Sequence, residues 1–380
     1  MLLASWNLNS IRAREERLLA WLKRRQPDVV CLQELKCTQD QFPFEAIEAA
    51  GYQPIVHGQK TYNGVAILSK SGPTDVSTGF GDDGDESQAR VIAATIDGVR
   101  IISVYVPNGG AVYSKKFSGP ENEQRAKEKY AGKIEWLRRL KHFLEAQDLT
   151  APLAICGDYN IIPGKRDTAY HEKQLVDSDK KIEHNKYWNG PIYNEELSDN
   201  FKRLLDLGLV DTLGEWRERV AVRLSDLGPN DERLVGCIKK DPAAIYKELL
   251  AADLEIGMRV IVTKTSADMV RVKARWRRDP ERPFDRERDE IEWGNEQEVS
   301  RDVADNLILD DKNGLHSYSY WDYQWPPLRR NYGLRIDHIL ATPSLAGTKG
   351  KKVTEARVDK DERKEKKPSD HAPVFAEFHD

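Results

Sequence analysis

The order of strand-like and helix-like segments constrains the fold of this chain more than any other feature of the sequence. Short apolar runs typical of strands recur at residues 2–8, 28–35, 63–70, 89–97, 99–108 and 152–161. Segments typical of helices stand between some of them, at residues 14–27, 44–51 and 122–147. Runs of strands with helices between them indicate two sheets packed face to face with helices outside. We therefore predict an α/β fold.

The composition permits a large core and argues against a membrane-spanning or secreted protein. The chain has 380 residues, of which 39% are apolar. No window is long and apolar enough to span a membrane, and the segment MLLASWNLNS turns polar too soon for a secretory signal. The four cysteines lack CxxC spacing, and Cys31 and Cys156 lie within apolar runs. We therefore expect a protein of the reducing cytoplasm.

The net charge of −4 gives the whole chain no general attraction to nucleic acid. Any contact with a polyanion must therefore come from local basic patches.

The composition changes between residues 215 and 314, where charged residues are frequent. Residues 241–257 are typical of a helix with Asp241 as N-cap, and residues 258–264 and 269–276 are typical of a hairpin. Strand-like segments return at 316–325 and 334–342. We therefore interpret 215–314 as a small inserted subdomain and residues 1–214 with 315–380 as a single catalytic domain.

One predicted strand of the insertion alternates apolar and basic residues. The apolar residues are Val270, Val272, Ala274 and Trp276. The basic residues are Arg271, Lys273, Arg275 and Arg277. The basic row either follows a phosphate backbone or is a solvated face balanced by the acidic residues that come next.

Several apolar strands end in, or are interrupted by, polar residues that a core does not favour. These residues are Asn7, Asn9, Glu34, Tyr105, Asn108, Asp158, Asn160, Asp337, Asp370 and His371. Each has an ordinary interpretation as a cap or a turn residue, and Ser369-Asp370-His371 alone is typical of a turn before a strand. Asp337, inside RIDHI, must be paired or hydrogen-bonded if it is buried. Because strands converge at the ends of a sandwich, we expect these side chains to meet at one end.

Seven motifs resemble those of the exonuclease III family of abasic-site endonucleases, within the endonuclease/exonuclease/phosphatase superfamily. In order they are NLNSIRAR, CLQELK, VYVPNGG, GDYNI, SYWDYQ, NYGLRIDHIL and SDHAP. The resemblance covers residues 1–211 and 315–380. It implies a four-layered α/β sandwich, two packed mixed sheets flanked by helices, with the active site at one edge.

The resemblance also implies a metal site and a phosphate site. Glu34 would be the main metal ligand, with Asn7 and Asp370 nearby. These oxygen ligands suit Mg²⁺, with Mn²⁺ as a substitute.

The phosphate site implied by the resemblance has five members. Asp158 and Asn160 would line the scissile phosphate, Tyr105 would reach it, and His371, oriented by Asp337, would contact a phosphate oxygen. Asp158 is our choice for the group that orients or deprotonates the attacking water, although His371 and Tyr105 are alternatives for the base.

Four residues match the family's pocket for a base-less sugar: Tyr320, Trp321, Leu334 and Ile336. The alternative for Trp321 is a plain core position. Asn108 and a set of arginines are candidates for further substrate contacts, the arginines being Arg12, Arg14, Arg90 and Arg335. The alternative for the arginines is an ordinary surface position. The arginine that usually follows WDY in the family is Gln324 here.

The leading hypothesis is a Mg²⁺-dependent repair phosphodiesterase. It would hydrolyse double-stranded DNA 5′ to abasic sites and act on 3′ ends as an exonuclease and 3′-phosphodiesterase. One alternative is a phosphatase or phosphodiesterase of small or lipid phosphoesters, which the GLRIDHIL and SYWDY motifs disfavour. Another is a non-catalytic nucleic-acid-binding module. The presence of the metal and phosphate residues disfavours that module.

Overall fold

The computed structural model describes residues 1–110, 120–164, 167–168, 192–220, 222–223, 232–238, 259–275, 295–301, 304, 307–310, 318–321, 333–364 and 366–379. The chain divides into two compact units, Met1–Trp216 with Tyr318–Asp380, and Arg217–Ser317. The helix predicted at 241–257 lies outside the described residues. Among the helices that are described, none combines the length and the apolar character that a membrane span needs.

The first unit contains these strands: β1 Leu2–Asn7, β2 Val29–Gln33, β3 Gln53–His57, β4 Val65–Ser69, β5 Thr74–Thr78, β6 Val91–Ile96, β7 Val99–Tyr105, β8 Leu153–Asp158 and β9 Val210–Asp211. The strands of the second unit are β10 Val222–Arg223, β11 Glu232–Ile238, β12 Arg259–Thr265, β13 Met269–Arg275, β14 Gln297–Ser300 and β15 Leu307–Asp310. The first unit is completed by β16 Asp337–Ala341, β17 Val353–Val358 and β18 Val374–Phe378.

The helices are α1 Ile11–Arg25, α2 Phe44–Ala49, α3 Pro120–Glu145, α4 Glu195–Leu205, α5 Thr212–Val220 and α6 Pro343–Ala346. Short 3₁₀ turns occupy Gln39–Gln41, Thr348–Gly350 and Lys360–Arg363.

The first unit contains two six-stranded mixed sheets. The strand order is β17-β18-β1-β2-β4-β3 in one and β5-β6-β7-β8-β16-β9 in the other. In the first sheet β1 and β2 are parallel and β1 and β18 are antiparallel. In the second sheet β7 and β8 are parallel and β16 is antiparallel to β8. In the first sheet the carboxyl ends of β1 and β2 therefore lie at the same edge as the amino end of β18. In the second sheet the carboxyl ends of β7 and β8 lie at the same edge as the amino end of β16.

Apolar side chains from both sheets form a common core between them, including Leu3 and Ile67 from the first sheet and Ile92 and Ile101 from the second. The outer face of the first sheet packs on α1 through residues such as Leu18, Trp21 and Leu22. The outer face of the second sheet packs on α3 and α4 through Leu137, Leu140, Leu197 and Phe201. Each sheet is thus covered by helices on its outer side, and the predicted four-layered α/β sandwich is confirmed.

The second unit contains a separate six-stranded sheet in the order β10-β15-β11-β12-β13-β14. β12 and β13 pair antiparallel over the residues predicted as a hairpin. Val270 and Val272 are buried, whereas Arg271 is exposed and lies 2.6 Å from the Glu298 carboxylate on β14. At Arg271 the basic row is therefore balanced by an acidic neighbour, as the solvated-face interpretation expects. Trp276 and Arg277 lie outside the described residues.

Candidate active site

Strand register brings the polar residues of the second sheet to one end of the sandwich. Asp337, the first residue of β16, stands directly opposite Asp158, the last residue of β8. Tyr105, the last residue of β7, is the parallel partner of Asp158 on the other side. Asn7 ends β1 in the first sheet, and its Nδ2 donates a 3.0 Å hydrogen bond to Oδ2 of Asp158. The polar ends of both sheets therefore meet, as predicted from the sequence.

His371 lies between the two facing carboxylates. Its Nδ1 is 2.8 Å from Oδ2 of Asp337, and its Nε2 is 3.7 Å from Oδ2 of Asp158. All three residues are buried. The ring of Tyr320 packs edge-on against the imidazole, with 5.0 Å between the ring centroids.

The two carboxylates keep the imidazole protonated. Burial alone lowers the pKa of His371, but Asp337 and Asp158 outweigh it and raise the pKa to about 10. An imidazolium donates from both nitrogens and has no lone pair for a metal ion. His371 in this state is therefore a cationic hydrogen-bond donor.

The backbone before β18 fixes His371 in place. Oγ of Ser369 donates to the carbonyl of Asn7 at 2.7 Å and accepts from the backbone N–H of His371 at 3.2 Å. Nε1 of Trp6 donates to the carbonyl of His371 at 3.2 Å. The Ser369-Asp370-His371 segment is thus a side-chain-stabilised turn, and the same turn places the imidazole between Asp158 and Asp337.

Asp158 is held by amide donors in addition to Asn7. The backbone N–H of Asn160 donates to Oδ1 of Asp158 at 2.8 Å, and Nδ2 of Asn160 lies 3.3 Å from Oδ2. Burial raises the pKa of Asp158 to about 7, although the neighbouring His371 imidazolium and these donors lower it in part. A carboxylate of this pKa can accept a proton near neutral pH.

The three residues expected to bind a metal belong to one connected cluster. Nζ of Lys36 lies 3.0 Å from Oε1 of Glu34 and donates to Oδ1 of Asn9 at 2.5 Å. Nδ2 of Asn9 donates to Oδ1 of Asp370 at 3.0 Å, and its backbone N–H donates to Oδ1 of Asn7 at 2.9 Å. The cluster therefore offers carboxylate and amide oxygens at the edge of the buried Asp158 site.

The donor set fits a hard divalent cation. Asp158, Asp337 and His371 form one group whose side-chain atoms lie within 4.8 Å of one another, and because the His371 imidazolium has no lone pair, only the two carboxylates of that group offer metal ligands. Oδ1 of Asp337 is buried and lacks a hydrogen-bond partner within the described part of the chain. Oxygen-rich sites of this kind suit Mg²⁺ or Mn²⁺ better than zinc.

Tyr105 and Arg90 lie beside the carboxylates. The Arg90 guanidinium carbon is 4.8 Å from the centre of the Tyr105 ring, and Nη1 of Arg90 donates to the Tyr105 carbonyl at 2.9 Å. Burial, with the Glu34 and Asp158 carboxylates, raises the pKa of Tyr105 well above its ordinary value. At neutral pH its phenol is therefore a hydrogen-bond donor and a poor base.

The structure separates the residues expected to line a sugar pocket. Leu334 and Ile336 are buried in a small apolar cluster with Ile162, against which Tyr320 packs. Trp321 is fully buried in the core between the two sheets, which agrees with the core alternative for this residue.

The glycine before Leu334 is required by this packing. A Cβ at Gly333 would lie 2.6 Å from Nε1 of Trp321. Only glycine allows the GLRIDHIL strand to approach the indole so closely.

Arg335 is not available to a phosphate, which corrects that expectation. It is buried, with Nε 2.6 Å from Oδ1 of Asp167 and Nη1 2.8 Å from Oδ2 of Asp211. Its guanidinium also lies 3.0 Å from Nδ1 of His338. Both carboxylates are remote in sequence, so the motif alone gave no sign of these ion pairs.

The other candidate substrate contacts lie nearer the surface. Arg12 is exposed, and Arg14 donates to the Pro368 carbonyl at 3.2 Å. Asn108 is exposed and accepts from the backbone N–H of Gly110 at 3.0 Å. Gln324 lies outside the described residues.

Three site residues were given no role by sequence reasoning. Lys36 bridges Glu34 and Asn9, and Lys133 donates to the Asn160 carbonyl at 2.7 Å. Gln33 joins the two sheets, because its Nε2 reaches Oγ of both Ser5, at 3.1 Å, and Ser103, at 3.2 Å. A signal for Gln33 was present, since it is a polar residue inside an apolar strand.

The sequence profile of the Endonuclease/Exonuclease/phosphatase family matches residues 4–227 of the chain. The chain is 27% identical over 380 residues to exodeoxyribonuclease III of Haemophilus influenzae, covering 98% of each protein. It is 28% identical over 214 residues to an exodeoxyribonuclease of Bacillus subtilis, covering 56% of this chain and 74% of that protein.

Solved structures give the same relationship. An AP endonuclease from Archaeoglobus fulgidus superposes with a TM-score of 0.64 at 25% identity and covers 100% of both chains. A 3′ phosphatase from Neisseria bound to a product DNA hairpin has a TM-score of 0.59 at 27% identity and covers 100% of this chain and 99% of its own. The family match and the buried Asp158–His371–Asp337 arrangement lead to one conclusion. The chain belongs to the endonuclease/exonuclease/phosphatase family, in the branch that contains exodeoxyribonuclease III and the AP endonucleases.

Proposed function

We propose that this protein is a metal-dependent DNA-repair phosphodiesterase. It hydrolyses duplex DNA on the 5′ side of abasic sites and removes nucleotides or blocking groups from 3′ ends. The observation that carries the proposal is the buried imidazole of His371, held between Asp337 at 2.8 Å and Asp158 at 3.7 Å. A fixed cation beside a carboxylate of raised pKa is suited to stabilising a phosphate while a water is activated.

Asp158 acts as the base that orients and deprotonates the attacking water. Of the three candidates, His371 is already protonated and Tyr105 retains its phenol proton, because the pKa of each is raised. The pKa of Asp158, about 7, matches proton transfer near neutral pH. Asn7 and Asn160 hold the carboxylate in position through their amide groups.

His371 and Tyr105 bind the phosphate. The imidazolium places positive charge where negative charge develops on the phosphate oxygens during the displacement. Asp337 keeps the ring charged and oriented through its bond to Nδ1. The neutral phenol of Tyr105 donates a hydrogen bond to a phosphate oxygen.

Glu34, Asp370 and Asn7 would hold the divalent ion, with Mg²⁺ as the physiological choice and Mn²⁺ as a substitute. When bound, such an ion polarises the phosphoryl group and neutralises part of its charge. Lys36 now lies 3.0 Å from Glu34, so its ammonium already balances that carboxylate in the absence of substrate.

Tyr320 contacts the base-less sugar at the mouth of the site. It is partly exposed and packs on both His371 and the cluster of Leu334 and Ile336. Trp321 is a core residue between the two sheets and has no part in this contact. A pocket that fits a sugar without a base excludes normal nucleotides by size, and an unpaired site is flipped out with the least loss of stacking.

Duplex DNA is the partner, and the chain acts as a monomer in the cytoplasm, at the nucleoid. The relatives named above include exodeoxyribonucleases, an AP endonuclease and a 3′ phosphatase bound to DNA, which supports this substrate class.

The test uses a 5′-labelled duplex with one internal tetrahydrofuran, an abasic analogue that cannot undergo β-elimination. With Mg²⁺ we expect one product that ends immediately 5′ of the analogue, and none with EDTA. A ladder from the 3′ end without the discrete product would restrict the protein to exonuclease action. An absence of cleavage despite tight DNA binding would overturn the proposal.

A further inference from the structure

Lys133 is a lysine buried inside the helical layer that covers the second sheet. Its side chain is fully buried on α3, one turn before Leu137, which packs on the outer face of that sheet. Burial lowers the pKa of Lys133 to about 7, although the Asp158 carboxylate opposes this. A lysine in such surroundings is unfavourable unless its ammonium is hydrogen-bonded. Its Nζ donates to the backbone carbonyl of Asn160 at 2.7 Å.

The carbonyl that accepts this hydrogen bond belongs to a residue with an uncommon backbone conformation. Its φ is 50°, a left-handed conformation that is uncommon for residues other than glycine. This conformation directs the N–H of Asn160 to Oδ1 of Asp158 at 2.8 Å. The side-chain Nδ2 donates to the Val106 carbonyl at 3.0 Å and lies 3.3 Å from Oδ2 of Asp158. Asn160 therefore donates its hydrogen bonds to the Asp158 carboxylate only while the backbone of Asn160 keeps this conformation.

We propose that Lys133 is a positioning residue for the reaction, acting through the Asn160 carbonyl to hold the Asp158 carboxylate in place. The inference rests on the proposed function. The ordinary interpretation is a core lysine that merely stabilises α3. The hydrogen bond to Asn160 favours the positioning role, because Asn160 is the residue that donates hydrogen bonds to the Asp158 carboxylate.

The test compares Lys133→Met with wild type on the tetrahydrofuran duplex. Methionine has a similar length and lacks the Nζ donor. We expect kcat to fall by roughly 100-fold with KM nearly unchanged, because misplacement of a catalytic group by about 1 Å has that effect. Lys141→Met is the matched control, since Lys141 lies on the same helix in an ion pair with Glu145 at the surface. Its kcat should equal that of wild type.

A double-mutant cycle with Asp158→Asn separates positioning from general destabilisation. If Lys133 acts by holding the Asp158 carboxylate in place, Lys133→Met lowers kcat little further once that carboxylate is replaced. Independent, multiplicative losses would overturn the inference, and so would a Lys133→Met enzyme with wild-type kcat. Lys133→Gln serves if the methionine variant does not fold. Its amide is one bond too short for the same geometry, so we expect a partial loss of kcat, and wild-type kcat would again contradict the inference. Failure of the wild-type enzyme to cut DNA would instead refute the proposed function.

Discussion

Asp158 and Asp337 lie directly opposite each other on the antiparallel strands β8 and β16, and the His371 imidazole lies between their carboxylates. Two like charges at facing positions of a sheet destabilise it. The positive charge of the imidazolium compensates for this repulsion. In turn, the two carboxylates keep the ring protonated, because they raise the pKa of His371 to about 10. The two acidic residues and the histidine therefore form one electrostatic unit.

Replacing Asp337 with asparagine should therefore release the His371 proton at neutral pH. The ring keeps a hydrogen-bond partner but loses the larger of the two charges that raise its pKa. We expect cleavage at pH 8 to be roughly 100-fold or more slower than that of wild type, and this deficit to shrink toward pH 6, where an ordinary histidine of pKa about 6.5 is protonated. The measurement is kcat against pH for both proteins. Parallel profiles would show that Asp337 does not control the charge of His371.

The same pair should make stability depend on pH in a defined direction. Because the folded-state pKa of His371, about 10, exceeds its unfolded value, its contribution to stability is complete below about pH 6.5 and is lost as pH rises through 10. The difference in Tm between wild type and His371→Asn, measured in EDTA, should shrink from pH 6 to pH 10. His142→Asn, at an exposed position of α3, is the control and should show no such trend. A constant or growing difference for His371→Asn would contradict the ion-pair assignment.

Glu34→Gln should weaken metal binding while leaving the fold intact. Glu34 offers a carboxylate at the edge of the site, and glutamine keeps its size but not its charge. We expect the Mg²⁺ concentration for half-maximal cleavage to rise by at least about tenfold. Glu45→Gln, an exposed change on α2, is the control. Equal Mg²⁺ requirements in the wild type and Glu34→Gln would remove Glu34 from the metal site.

Arg271→Gln should leave the salt dependence of DNA binding unchanged. The guanidinium is paired with the Glu298 carboxylate at 2.6 Å, and this neighbouring negative charge disfavours a contact with a phosphate backbone. The measurement is the slope of log K against log salt concentration for both proteins. A slope reduced in magnitude by about one would show instead that Arg271 contacts a phosphate.

Much of the fold and the central cluster could be predicted because both depend on local patterns. Asp158 and Asp337 stand out as charged residues at the ends of apolar strands. The carboxylate of each is hydrogen-bonded, as is expected of a buried acid. Strands β3 and β5 were not predicted, because they pack at the sheet edges. β5 is exposed throughout and β3 only partly buried, so neither has an apolar run.

The errors and omissions concern contacts between residues that are distant in sequence. Arg335 is bound to Asp167 and Asp211, which lie 168 and 124 positions away, so a basic residue in a DNA-binding motif was assigned to the surface. Lys133 lies on the buried side of the amphipathic helix α3, among apolar residues, so the sequence pattern gave no sign that it belongs to the site. No periodicity indicates that its ammonium meets a carbonyl from the end of a strand.

The most direct test of the central claim is the single-turnover cleavage rate of the tetrahydrofuran duplex by wild type and Asp158→Asn, with Mg²⁺ and enzyme in excess. Asp206→Asn, at an exposed position just after α4, is the matched control and should cleave at the wild-type rate. We predict that Asp158→Asn loses roughly 100- to 10,000-fold in rate because the base is gone. Its affinity for the duplex should be retained or slightly increased, because a negative charge near the phosphate has been removed. An Asp158→Asn enzyme that cleaves at close to the wild-type rate would contradict the assignment of the active site.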